Sequence, residues 1–243
     1  MQAIILAAGL SKRLRPLTDS KPKCLLEIGG RCLLEMTIEN ITKYGISDFV
    51  IVTGYRENMI RDFINGKYPE LNVTFLNNTD YENNNNSYSL WMTKDYIYND
   101  CLLLDSDILF DHRIIGRLIY SGYENCLAVK IHKLGEEEVK VMADENNKIL
   151  KIGKDLNPET SLGESIGIEK ISLNFMKDIF RVLDRKIIQE NNLNEFYETT
   201  FQEVYEQGNE MFAVDVSDYK CIEIDYPEDL KLAEVEIKSI ESP

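Results

Sequence analysis

Short apolar runs alternate with helix-periodic segments through the first 104 residues of this 243-residue chain, and few folds accept that alternation. Residues 3–8 (AIILAA) form an apolar run of one strand's length, while residues 32–44 space their apolar side chains as a helix does and stop at Gly45, a suitable C-terminal cap. Residues 49–53, 73–77 and 101–104 read as strands, and residues 57–64 and 87–98 as helices. Strands joined through helices predict a mostly parallel sheet covered on both faces. Farther on, strands are predicted at residues 126–132, 139–143, 149–152, 166–171, 212–216 and 221–224, with helices at 173–190, 195–206 and 227–240.

The 44% hydrophobic content suffices for a buried core, and no Pro-, Gly- or Ser-rich linker divides the chain, so residues 1–243 read as one domain. The expected class is α/β, a single Rossmann-like three-layer sandwich on a mixed, mostly parallel sheet. A formal net charge of −15 argues against nucleic acid as a partner, because phosphate backbones are held by extended basic faces. Cys24, Cys32, Cys101, Cys126 and Cys221 are odd in number and scattered, which predicts buried free thiols. With only His112 and His132 and no CxxC pair, a zinc site is not expected. No 18 apolar residues run together, and no basic segment precedes the first apolar run, so no membrane partner is expected and the expected location is cytoplasmic.

Against that acidic background, the predicted first strand empties into Gly9 and a loop holding Lys12, Arg13, Arg15, Lys21 and Lys23. Glycine lets backbone N–H groups approach an anion, and the cations supply counter-charge, so the loop has the composition of a phosphate cradle. It carries neither the G-x-G-x-x-G fingerprint nor the Gly-Lys-Ser/Thr of a P-loop. Two strand ends deliver acids: Asp105-Ser106-Asp107 after residues 101–104, and Asp225 after residues 221–224. Carboxylates at such ends suit a hard divalent cation; the plainer alternative is that Asp105 caps a turn and Asp225 the last helix.

The run Leu6-Ala7-Ala8-Gly9-Leu10-Ser11-Lys12-Arg13-Leu14-Arg15-Pro16-Leu17-Thr18, followed by Pro22-Lys23, resembles the signature of nucleotidyltransferases that activate sugar phosphates and related phosphate esters. Within that family, Asn86-Ser87-Tyr88-Ser89-Leu90, Asp105-x-Asp107 and Glu223-Ile224-Asp225 look most like the phosphocholine and 2-aminoethylphosphonate cytidylyltransferases. Ser11 departs from the pattern, standing where the family normally has a second glycine, and the Gly-Thr-Ala stretch of the sugar-1-phosphate enzymes is missing near Asn86.

The resemblance implies a nucleotide-diphospho-sugar transferase-like fold, with residues 1–110 as the nucleotide-binding half and 111–243 as the acceptor-binding half. It implies a phosphate or phosphonate oxygen attacking the α-phosphorus of CTP while pyrophosphate leaves. Catalysis then falls to Lys23, Arg13 and Asp107, with Mg²⁺ held by Asp107 and Asp225. Arg13 contacts the β and γ phosphates, and Lys23 bridges the attacking phosphate and the α-phosphate. The implied nucleotide set is Leu6, Ala7, Ala8, Gly9, Lys12, Arg13, Asn86, Ser89 and Asp105. Lys130 and Lys154, each near a predicted strand end, are candidates for the substrate phosphate, and each reads equally as a solvated lysine.

A cationic acceptor head wants carboxylates and aromatic faces; the resemblance places the acceptor loop at residues 163–167, and with residues 196–198 it offers Glu164, Tyr197 and Glu198 as candidates. Tyr197 and Phe201, four apart on a predicted helix, read equally well as core. Two glutamates and few aromatics lean toward a primary amine. The expected function is therefore a Mg²⁺-dependent cytidylyltransferase for 2-aminoethylphosphonate, phosphocholine or phosphoethanolamine, with a homodimer left open. The alternatives are a sugar-1-phosphate nucleotidyltransferase using UTP, dTTP, GTP or CTP, and a catalytically silent regulatory relative.

Overall fold

Every residue of β1 (Gln2–Ala7) is buried, as befits a strand in the middle of a nine-stranded sheet. The computed structural model describes residues 1–240. After a small hairpin of β2 (Glu27–Ile28) and β3 (Arg31–Cys32) the chain alternates α1 (Leu33–Thr42), β4 (Asp48–Thr53), α2 (Glu57–Lys67), β5 (Asn72–Asn77), α3 (Asn86–Met92) and β6 (Cys101–Asp105). Strands β6, β1, β4 and β5 lie side by side in that order, all parallel. Then come β7 (Ile108–Phe110), α4 (Arg113–Ile119), β8 (Cys126–Lys130), β9 (Lys140–Ala143), β10 (Ile149–Gly153) and β11 (Gly163–Ile171). The chain continues through α5 (Leu173–Asp184), α6 (Tyr197–Glu206), β12 (Phe212–Asp215), β13 (Cys221–Glu223) and α7 (Pro227–Ile240).

The long strand β11 welds the irregular second half to the parallel first half. Its end runs antiparallel to β6, its start pairs with β9, and β8 lies along its other edge with β12 beyond. The two sheet faces bury different partners, because side chains alternate along a strand. Ile5 and Ile51 pack with Ile38, Ile60 and Ile114 on one face, and Ile4 and Leu103 with Leu90, Phe175 and Phe201 on the other. Each such side chain contributes about 1.5–3 kcal/mol of burial, so both helical layers are strongly held. A third apolar cluster joins Leu14 and Leu26 of the basic loop to Ile224 and to Ala233 and Ile237 of α7.

Elements fall close to their expected places, with four differences of physical interest. The helix expected over residues 87–98 ends at Met92 and gives way to a 3₁₀ turn, where the Thr93 hydroxyl donates to Leu90 O at 2.7 Å and competes with the helical ladder. The helix expected to reach residue 190 becomes a π turn over Arg185–Gln189, drawn in where Lys186 pairs with Glu195 and Glu203 at 2.5 and 2.6 Å. The strand expected over residues 126–132 stops at Lys130. Neither α4, β7 nor the β2–β3 hairpin shows in the sequence pattern, being too short for a periodic signal. Gly45 follows α1 at φ +75° and donates its N–H to Thr42 O, the capping that glycine permits. All five cysteines are buried and unbridged, and no helix among the described residues is long and apolar enough to cross a membrane.

Candidate active site

β1 and β6 end level with one another, Leu6 standing opposite Asp105, so Ala8-Gly9 and Asp105-Ser106-Asp107 leave the sheet side by side. Ligands of open α/β sheets bind beyond such carboxyl ends. Here the ends open into a cleft of about 690 Å³, lined on this side by Leu6, Ala7, Ala8, Gly9, Ser11, Arg13 and Lys23. Ser11 sits at φ +49°, in the left-handed region that favours glycine, and its carbonyl accepts from the Thr18 hydroxyl at 2.9 Å. Gly54 lets the turn after β4 press against the loop, since a Cβ there would meet Ala8 O at 2.7 Å.

Asp225 reaches the same cleft through pairings that sequence patterning does not reveal. β13 runs antiparallel to β7 with Glu223 opposite Ile108, and the N–H of Ile224 donates to Asp107 O at 2.9 Å. Asp229, in the first turn of α7, accepts from the N–H groups of Asp225 and Tyr226 and so secures that corner. One donor atom from each of Asp107, Glu223 and Asp225 falls within 4.8 Å of the others. Lys23, nearly buried, sends Nζ to Asp225 Oδ1 at 2.7 Å and to Asp107 Oδ2 at 2.9 Å. Arg13 pairs with Asp225 and lies over the Tyr226 ring, 5.0 Å from its centroid.

The electrostatics follow from this crowding. Burial alone would lower the Lys23 pKa, but the Asp107 and Asp225 carboxylates outweigh it and hold the ammonium above its ordinary value. Asp225 is held below the usual range, burial being offset by Lys23 and Arg13. Glu223 is pushed up to about 7 by burial and by Asp107 and Asp225. Three carboxylates sharing too little positive charge, with hard oxygen donors close together, fit a divalent cation such as Mg²⁺.

Asparagines form one wall of the cleft. Asn78 donates to Asn84 Oδ1 at 2.8 Å and to Ser89 Oγ at 3.1 Å, and Asn86 Oδ1 accepts from the Tyr197 N–H at 3.0 Å. Asn78, Tyr81, Asn84, Asn85, Asn86 and Ser89 all line it. A second stretch of wall carries Glu137, Glu138, Lys154, Glu164, Phe196 and Glu198. Lys154 stands over the Phe196 ring, and Glu164 accepts from His132 Nε2 at 2.8 Å. Glu198 is 9% exposed, one of its oxygens has no partner, and burial pushes its pKa up to about 7.

Three sequence-predicted site residues lie elsewhere. Tyr197 is fully buried, and its hydroxyl lies 3.2 Å from Asp105 Oδ2 and 3.3 Å from Glu169 Oε1, so it reaches the cleft only through Asp105. Burial, then Asp107 and Glu198, hold Asp105 well above the ordinary carboxyl range, and burial with Asp105 does the same to Glu169. Lys130 turns away and donates to Cys221 O at 3.0 Å, tying β8 to β13. Lys12 is exposed and outside the cleft lining. Sequence reasoning in turn left out Glu223, Asn78, Tyr81 and Asn84. Glu223 was detectable, because residues two apart on a strand share a face. Asn84 stands in a run of four asparagines, residues 83–86, which by composition reads as an ordinary polar turn.

Known proteins resemble the chain over most of its length. A model of the nucleotidyl transferase family matches residues 2–148. The chain is 28% identical to the CTP:phosphoglutamine cytidylyltransferase of Campylobacter jejuni, over 96% of this chain and 98% of that one. It is 37% identical over 123 residues to the choline-phosphate cytidylyltransferase of Streptococcus pneumoniae, covering 51% of this chain and 52% of that protein. The inositol-1-phosphate CTP transferase from T. maritima superposes with a TM-score of 0.81 at 23% identity, covering 99% of this chain and 96% of that structure. At that identity the superposition shows the shared fold.

Proposed function

The chain belongs to the nucleotidyl transferase family, and on that premise we propose that it is a CTP-dependent cytidylyltransferase acting on a small amine-bearing phosphate or phosphonate. The observation that carries this reading is the meeting of Lys23 with Asp107 and Asp225 in a cleft floored by the β1 loop. A catalytically silent domain has no need to bury an ammonium between two carboxylates.

In the reaction, an acceptor oxygen forms a bond to the α-phosphorus of CTP, the bond to the β-phosphate oxygen breaks, and pyrophosphate leaves with the electron pair. Such transfers ask the protein for positioning and charge neutralisation more than for bond-making help. Asp107, Glu223 and Asp225 would hold Mg²⁺, which when bound neutralises phosphate charge. Lys23 presents its ammonium to the attacking and α phosphates, and Arg13 to the departing pyrophosphate. Residues 6–9 receive the nucleoside along their backbone, with Asn86 and Ser89 on the asparagine wall beside it.

Acids outnumber cations on the acceptor wall, which favours an acceptor with an ammonium group. The Glu198 carboxylate lines the cleft and can accept a hydrogen bond from a primary amine, which a quaternary head cannot give. Lys154 is the cation on that wall suited to the acceptor phosphate.

The test is pyrophosphate release from the pure protein with Mg²⁺, each NTP in turn, and a panel of 2-aminoethylphosphonate, phosphoethanolamine, phosphocholine, phosphoglutamine and glucose-1-phosphate. Turnover is expected with CTP and an amine-bearing acceptor. Turnover confined to glucose-1-phosphate with UTP or dTTP would remove the proposal.

A further inference from the structure

Lys140, at the start of β9, is 1% exposed, and no carboxylate is among the partners of its ammonium. Its ammonium instead donates to three backbone carbonyls: Lys154 O at 2.7 Å, Glu136 O at 3.0 Å and Glu138 O at 3.1 Å. Those three bonds use all the donors an ammonium has. Two of the carbonyls belong to the segment between β8 and β9, and the third to the residue that follows β10.

The backbone so gripped is that of the acceptor wall. Glu137, Glu138 and Lys154 line the cleft, and Glu137 lies between the two bonded carbonyls of its segment. The segment also closes on itself, Gly135 donating its N–H to Glu138 Oε2 at 2.9 Å. A buried ammonium without these dipoles would be costly, and the carbonyls without the ammonium would lose their partner. Cation and loops therefore hold one another in a single arrangement.

We infer that Lys140 is a positioning residue for acceptor binding, a clamp that fixes two otherwise separate loops as one wall of the cleft. This rests on the reading that the wall of Glu138, Lys154 and Glu198 receives the acceptor. Lys140 touches neither substrate; it acts through the backbone of the residues that do.

The experiment compares wild type with Lys140→Met, which keeps an unbranched stem as far as Cε and removes the donors. Amide hydrogen exchange in residues 133–139 and 154–157 is expected to quicken, while exchange in residues 9–23 stays unchanged. The acceptor KM is expected to rise roughly tenfold, the scale for losing hydrogen bonds to a charged group, with the CTP KM unchanged. Lys140→Gln keeps two donors and should fall between; it is the variant to read should the methionine form not fold. Unchanged exchange in both loops overturns the inference. So does a lower Tm with an unaltered acceptor KM, or a parallel rise in both KM values. Wild type inactive toward every amine-bearing acceptor would instead overturn the proposed function, and the exchange data would still decide whether the clamp exists.

Discussion

Lys23 Nζ lies 2.7 Å from Asp225 Oδ1, although 202 residues separate the two in the chain. The contact is made by packing: Leu14 and Leu26, before and after Lys23 in the chain, share an apolar cluster with Ile224 and with Ala233 and Ile237 of α7. Burial there brings cation and carboxylate together before any ligand arrives.

Replacing Lys23 by alanine removes the ammonium that meets developing charge. Its kcat is expected to fall at least about 100-fold, the scale for one lost electrostatic contact in a transition state. Pyrophosphate release under saturating CTP checks this, and near-wild-type turnover would show that the site lies elsewhere.

Asp107→Asn removes one charge from the cluster of Asp107, Glu223 and Asp225. In wild type, CTP with MgCl₂ should raise Tm more than CTP with EDTA, because a ligand that binds the native state stabilises it. The variant should lose most of that difference. An equal gain in both proteins would take Asp107 out of the metal site.

Glu198 supplies a pH dependence whose sign is fixed by its burial. Its carboxyl titrates near the ordinary 4.5 when the chain is unfolded and at about 7 when folded, so between those values the folded state holds the extra proton. This group's contribution to stability is therefore greatest at the acid end and declines as pH rises through that window. Glu198→Gln should flatten the slope of Tm against pH, and it should raise the acceptor KM roughly tenfold by removing the charge opposite an ammonium. Identical Tm slopes in the two proteins would contradict the assignment.

Gly167 interrupts β11 at φ +69°, and a Cβ there would lie 2.7 Å from Asp105 Oδ2. Gly167→Ala combines backbone strain with a displaced Asp105, at an expected cost of about 1–3 kcal/mol in denaturant unfolding, with a lower kcat. A stability within error of wild type would mean that β11 yields at this point without cost.

The sequence alone determined the parallel half of the sheet, because runs such as residues 3–8 and 101–104 are apolar on both faces and helix-periodic segments join them. Strand ends and a basic loop in an acidic chain are local signals that marked Asp107, Asp225 and five loop cations, and the family resemblance singled out Lys23 among the five. Which of these residues share a cleft was decided by the tertiary structure alone. The pairing of β13 with β7 carries Glu223 and Asp225 to Asp107, and β7 is three residues long, too short to leave a pattern. Tyr197 and Lys130 stayed ambiguous for the same reason: a polar tip at a helix start or a strand end looks alike in sequence whether it faces solvent or a buried partner. Direction of a side chain is set by what packs around it, and those neighbours come from distant parts of the chain.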